Sequence, residues 1–260
     1  MKEAPIRVAL ADGVARVTLA RPKIRNAFNA AMIAALREIF EQLNGEASVR
    51  AILLTGEGSV FCGGADITWM RASLDLSHEE NLADARAMSE MFRAIDRCNK
   101  PTLAAVHGAA LGGGAGLAAV CDLVIAAEDA VFGFTEVKLG IIPAVISPFV
   151  LAKIGVGNAR SLFLTGERFD ARRAAAIGLV HRVVPSAELD AAVDSTLREF
   201  FTASPTAIAA AKALIREVAA STYDDTLPLT AGAIATQRTS PEGQEGLRAF
   251  LERRPPGFAR

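Results

Sequence analysis

The sequence of 260 residues predicts an α/β core followed by an all-helical C-terminal extension. Strand-like and helix-like segments alternate up to residue 184, and only helical patterns follow residue 188. Two glycine-rich turns, at 61–66 and 112–116, each follow an apolar strand-like run. Hydrophobic residues make up 51% of the chain and charged residues 22%, which suits a sizeable core and excludes disorder.

Residues 14–19 alternate and are rich in β-formers, so they read as a strand. The loop Arg21-Pro22-Lys23-Ile24-Arg25-Asn26 is basic and broken by proline. Asn29 is placed to cap a helix over 30–43, whose Ile33, Leu36, Ile39, Phe40 and Leu43 fall on one face, with Gly45 ending it. Residues 51–55 form a short apolar run closed by Gly56, a buried strand. In the small-residue turn that follows, Asp66 is placed to begin a helix and complement its dipole. The polar segment 71–82 stays open between helix and loop.

Residues 83–98 form a helix with Met88, Met91, Phe92 and Ile95 on one face. Strands follow at 102–106, 123–127 and 130–134, then a proline-interrupted apolar stretch at 139–148. A helix over 171–177 stops at Gly178, and a strand over 179–184 stops at Pro185. Helices are predicted at 189–203, 206–220, 224–239 and 242–252. There is no fixed-period repeat.

A net charge of -1 with no basic block argues against a nucleic-acid partner. The longest nearly apolar stretch, 139–152, is interrupted by Pro143 and Pro148 and falls short of the roughly 20 residues a membrane helix needs, so no membrane partner is expected. The first residues lack the apolar core of a signal peptide. Cys62, Cys98 and Cys121, odd in number and far apart, fit reduced thiols and a cytoplasmic location.

The stretch from His107 to Asp122 organises the chain: an apolar run enters it, Gly112-Gly113-Gly114 follow, and small residues continue to Val120. Glycines here let another molecule approach the backbone, and N–H groups at a helix start face outward. Gly114-Ala115-Gly116-Leu117-Ala118-Ala119 fits a G-x-G-x-x-A pattern with Glu128 beyond the next strand. Context argues against a dinucleotide site, because only about two helical turns fit before residue 123 and such a crossover needs a longer helix. There is no G-x-S-x-G, H-E-x-x-H or G-x-x-x-x-G-K pattern, and His78, His107 and His181 lack metal-ligand spacing. Two glycine turns aiming one N–H each at a single oxygen would make an oxyanion hole. Glycines serving only tight strand–helix packing are the other reading, and both stand open on the residues alone.

Phe61-Cys62-Gly63-Gly64-Ala65-Asp66-Ile67, Ala110-Leu111-Gly112-Gly113-Gly114 and Cys121-Asp122 resemble the enoyl-CoA hydratase/isomerase family, the crotonases. The resemblance extends over Arg21-Pro22-Lys23, Asn26-Ala27, Phe132-Gly133, Thr135-Glu136-Val137-Lys138-Leu139-Gly140, Leu164-Thr165-Gly166-Glu167, Glu242-Gly243 and Ala249-Phe250-Leu251-Glu252-Arg253-Arg254.

The resemblance implies a crotonase (ClpP-like) spiral of ββα units, with a core over 1–195 and a C-terminal helical trimerisation region over 196–260, giving homotrimers or hexamers. It implies an acyl-CoA thioester substrate and no cofactor beyond that coenzyme A moiety. By motif position the oxyanion donors are the N–H groups of Ala65 and Gly113, and one family glutamate falls on Glu136 while the other falls on Gly116. Ligand contacts are expected at Lys23, Arg25, Ala65, Asp66, Ile67 and Gly113, with Arg21, Arg253 and Arg254 as further basic candidates and the 71–82 segment shaping the acyl pocket. His78, Glu79 and Glu80 are the nearby groups able to replace the missing glutamate. A single glutamate suits hydration from one face, a double-bond isomerase, or a non-catalytic acyl-CoA-binding homologue. Ile141-Ile142-Pro143-Ala144-Val145-Ile146-Ser147-Pro148, together with Gly116, is similar to hydratases of the methylglutaconyl-CoA and carboxygeranoyl-CoA type, whose substrates carry an extra carboxylate. That implies a role in leucine or isoprenoid breakdown.

Overall fold

The computed structural model describes residues 4–259. Among them lie the strands β1 (Ile6–Ala11), β2 (Val14–Leu19), β3 (Ala51–Gly56), β4 (Thr102–Val106), β5 (Ala109–Leu111), β6 (Leu123–Ala127), β7 (Val131–Gly133), β8 (Arg168–Asp170) and β9 (Arg182–Val184). The helices are α1 (Ala30–Gly45), α2 (Ile67–Ala72), α3 (His78–Arg97), α4 (Gly113–Val120), α5 (Ser147–Thr165), α6 (Ala171–Ala176), α7 (Leu189–Thr202), α8 (Pro205–Ala220), α9 (Tyr223–Thr239) and α10 (Pro241–Leu251).

A six-stranded sheet runs in the order β1-β2-β3-β4-β6-β9, and a three-stranded sheet in the order β5-β7-β8. The chain passes from β4 to β5, and again from β6 to β7, by leaving the large sheet for the small one. These passages, with α4 between them, form the expected spiral of ββα units. Gly108 makes the first passage possible: its φ is +62°, and a Cβ there would collide with the Ser59 carbonyl oxygen. The large sheet is parallel except for the β1–β2 hairpin. Asp12 and Gly13 turn that hairpin with φ of 50° and 81°, the positive pair that a two-residue turn matching strand twist requires.

Alternate residues of the large sheet serve opposite faces. Ile52, Leu54, Ala104, Val106, Val124 and Ala126 join one core with residues of α1, α3, α4 and α5. Ala51, Leu53, Leu103, Ala105 and Ile125 join a second core with Ala192, Val193, Leu197 and Phe201 of α7. Residue 195, where the division between core and extension is expected, lies inside α7. Ser204 caps the next helix, α8.

β1 was not expected; it exposes every residue after Ile6, so its alternating Ile6, Val8 and Leu10 do not line a core face. The open segment 71–82 resolves into the end of α2, a 3-10 turn at Ser73–Asp75 and the start of α3. A capping box fixes that start, with Ser77 and Glu80 each satisfying the other's backbone N–H. Helix α5 was hidden by Pro148 and by Pro143 before it, yet Pro148 lies in its first turn, where no N–H is needed. No helix among the described residues is long and apolar enough to cross a membrane. The three cysteines are free and buried.

Candidate active site

The site grows from a hook at residues 21–28. Arg25 and Asn26 adopt left-handed backbone, with φ of 56° and 54°. This turns the Asn26 side chain inward, where it is fully buried. Its Nδ2 donates to the carbonyls of Glu57 and Val60, each at 2.9 Å, and of Phe61 at 3.2 Å, while its Oδ1 accepts from the Arg21 N–H at 2.9 Å. The hook then holds the first glycine turn. Gly63 N–H donates to Arg25 O at 2.7 Å, Phe28 N–H to Gly64 O at 2.7 Å, and Asp66 N–H to Phe28 O at 2.8 Å.

The second glycine turn lies beside the first. Cys62 N–H donates to Ala109 O and Leu111 N–H to Cys62 O, each at 3.0 Å. Gly64, with φ +100°, would bring a Cβ to 3.2 Å from Leu111 O. In these stitched turns the N–H groups of Gly64, Ala65, Gly113, Gly114 and Ala115 have no backbone acceptor among the described residues, and of these residues only Ala65, which is exposed, and Gly113, which is half-buried at the start of α4, are not buried. Asp66, Gly112 and Gly116 are engaged: Gly112 N–H donates to Gly133 O at 2.8 Å and Gly116 N–H to Gly112 O at 3.0 Å.

Glu136 opens a 3-10 turn, Glu136–Leu139, just beyond β7. Its Oε1 lies 3.2 Å from where a Cβ on Gly112 would stand, so the carboxyl rests against the start of α4. Its Oε2 is buried and accepts no hydrogen bond. Burial pushes the Glu136 carboxyl above the usual carboxylate range, against a smaller opposing effect of its own backbone N–H. A buried carboxyl oxygen without a partner, on a carboxyl that rests against the start of α4, is a candidate place for a ligand or a proton.

The other expected residues divide. Gly116 is buried and brings no group to the site: its N–H is engaged, and a Cβ there would overlap Ile146 Cγ2. Asp66 ion-pairs with Arg21 at 2.7 Å and caps α2 by accepting from Thr68 N–H at 2.8 Å. Burial opposes its ionisation, but Arg21 and the helix N–H groups outweigh that and hold the carboxyl low. Arg21 is thereby engaged within the fold. Lys23 and Arg25 are exposed on the hook, and Arg25 Cβ lies 3.0 Å from a Cβ position on Gly63. Ile67 is 75% exposed.

Glu80 is engaged in the capping box, and His78 and Glu79 lie in the exposed first turn of α3. None of these three makes a hydrogen bond or ion pair to Glu136. Arg254 pairs with Glu245 at 2.6 Å and Glu252 at 2.7 Å. The Cys62 thiol is pushed up to about 12 by burial, which removes it as a nucleophile near neutral pH. Sequence reasoning named Asn26 only as a motif letter and missed its three carbonyl partners. Positive φ at a buried asparagine leaves no mark in composition or periodicity.

The enoyl-CoA hydratase/isomerase family profile matches residues 10–260. A relative from Thermus thermophilus is 37% identical over 245 residues, covering 94% of this chain and 97% of its own. The crystal structure of an enoyl-CoA hydratase from Shewanella pealeana superimposes with a TM-score of 0.94 at 38% identity, covering 98% of this chain and 96% of that one. Pseudomonas aeruginosa AtuE superimposes with a TM-score of 0.95 at 38% identity, covering 98% of this chain and all of that one. Sequence and architecture agree over nearly the whole length, so the chain belongs to the enoyl-CoA hydratase/isomerase family and has the crotonase fold.

Proposed function

We propose that this protein reversibly adds water to an α,β-unsaturated acyl-CoA thioester, with a branched, carboxylated acyl group such as that of 3-methylglutaconyl-CoA as its preferred substrate. The observation that supports this reading is the buried, unpartnered Oε2 of Glu136, whose carboxyl rests against the glycine turn at the start of α4, where the Gly113 N–H has no backbone acceptor. In the proposed reaction those N–H groups hold the thioester oxygen. Ionised Glu136 takes a proton from water as the water oxygen bonds to the β-carbon. The π electrons of the double bond move onto the thioester oxygen as an enolate, whose charge the two donors stabilise. Glu136 then returns its proton to the α-carbon, the carbonyl re-forms, and one water has been added across one face.

Lys23 and Arg25 are proposed to meet the phosphates of coenzyme A, as exposed cations beside the first glycine turn. The substrate supplies the only coenzyme. Three buried free thiols fit a reducing, cytoplasmic setting. The extra carboxylate of the substrate takes over part of the work of a second glutamate.

A second reading is a double-bond isomerase, favoured by the single carboxyl, since one base suffices to carry a proton along an acyl chain. Product mass separates the two. The pure protein is incubated separately with crotonyl-CoA, 3-methylglutaconyl-CoA and a 3-enoyl-CoA. Water gained on methylglutaconyl-CoA with little on crotonyl-CoA supports the branched-substrate hydratase. A shifted double bond at unchanged mass makes it an isomerase. No change in any of the three overturns both readings in favour of a binding protein.

A further inference from the structure

The first turn of α4 meets a different neighbour at each glycine. Gly112 faces Glu136, Gly113 faces Phe28 and Met88, Gly114 faces Cys62, and Gly116 faces Ile146 and Phe92. The last contact is the most closed. A Cβ on Gly116 would overlap Ile146 Cγ2 and stand 2.9 Å from Ile146 Cβ and 3.1 Å from Phe92 Cζ. Branching makes the obstruction at Ile146 Cβ part of a stiff side chain, not the far end of a flexible one.

Ile146 has little freedom to withdraw. It is 2% exposed. It precedes α5, where Ala144 N–H donates to Ile142 O at 2.8 Å, Ser147 N–H to Ala144 O at 3.1 Å, and Ser147 Oγ to Ala144 O at 2.7 Å. Pro143 and Pro148 restrict the backbone on either side. Phe92, the other wall, is itself held by Phe149 of α5, with ring centroids 5.6 Å apart.

Gly116 lies one helical turn, about 6 Å along the axis, from Gly112, against which the Glu136 carboxyl rests. We propose that Ile146 determines specificity by holding the volume at 116 as an apolar wall, so that the site works with Glu136 as its only carboxyl and rejects thioesters that need two. The two sequence departures, glycine at 116 and Ala-Val-Ile-Ser-Pro at 144–148, are then one packed feature. The proposal rests on the hydratase reading above.

The test is a double-mutant cycle on the full chain with Gly116→Glu, Ile146→Ala and the double variant. The readout is the ratio of water added to crotonyl-CoA over water added to 3-methylglutaconyl-CoA. The proposal expects neither single variant to raise that ratio and the double variant to raise it at least about tenfold, roughly 1.4 kcal/mol of transition-state preference. A rise in Gly116→Glu alone equal to that of the double variant overturns it, because Ile146 would then be no barrier. A folded double variant with an unchanged ratio overturns it as well.

If Gly116→Glu variants do not fold, Gly116→Ala takes their place with thermal unfolding as the readout. Gly116→Ala is expected to lower the midpoint by several degrees, and Ile146→Ala in the same chain to recover part of the loss. Additive losses overturn the contact. Should the wild-type protein hydrate neither thioester, the hydratase reading fails, while this thermal cycle still decides whether Ile146 holds the volume at 116.

Discussion

Glu136 shows how one residue can be wrong for stability and right for chemistry. Its Oε2 is buried without a partner, and burial outweighs the carboxyl's own backbone N–H, so the folded state favours the protonated form. Its folded pKa lies above the unfolded value. Its contribution to stability is therefore fully present at low pH and lost as pH rises through the folded value. Glu136→Gln should accordingly unfold at a higher temperature than wild type at about pH 8, with the difference shrinking as pH falls to about 4. A constant difference across that range, followed by calorimetry, contradicts the assigned burial effect.

Motif position singles out Glu136, Ala65 and Gly113 as candidates. That the N–H groups of Ala65 and Gly113 lack backbone acceptors was not legible, because it depends on which carbonyls the neighbouring residues engage. The filled volume at Gly116 was hidden for a similar reason: it is made by Ile146, distant in sequence and adjacent only after folding.

At the scale of elements, the hook at 21–28 and the capping box of α3 each carry a measurable share. Asn26→Ala removes the donor to three carbonyls and puts alanine in a left-handed conformation that asparagine tolerates better. The expected cost is about 2 kcal/mol or more in denaturant unfolding, with turnover lost as the first glycine turn loosens. A stable, fully active variant contradicts the hook's role. Ser77→Ala removes one half of the capping box and should cost about 1 kcal/mol. Most of the long elements were legible because their apolar periodicity was clear, as in α1 with Met32, Ile33, Leu36, Phe40 and Leu43 buried along one face. The three-residue strands β5 and β8 were not, since alternation has no room to show.

The whole molecule divides by burial. The core through α7 closes on itself, whereas α8 and α9 bury no residue and α10 buries only Ala249. Ile215 at 70% exposed, Leu227 at 60% and Phe250 at 82% place large apolar side chains on that extension. An ion pair of 2.7 Å between Lys212 of α8 and Asp122 after α4 ties it to the core. Exposed apolar area on this scale supports the proposed homo-oligomer. Light scattering on the purified protein is expected to give the mass of a trimer or hexamer, and a monomer at micromolar concentration contradicts that proposal. The order of strands, then helices only, was legible along the chain. Which helices pack on the sheet was not, because α7 and α8 are both amphipathic and only packing tells them apart.

The central claim, that Glu136 carries the proton in water addition to an enoyl thioester, is tested most directly by product mass from 3-methylglutaconyl-CoA with wild type and Glu136→Gln side by side. The account predicts that wild type adds one water while the variant still binds the thioester and turns over roughly 100-fold more slowly or not at all. Equal water addition by both proteins would contradict it.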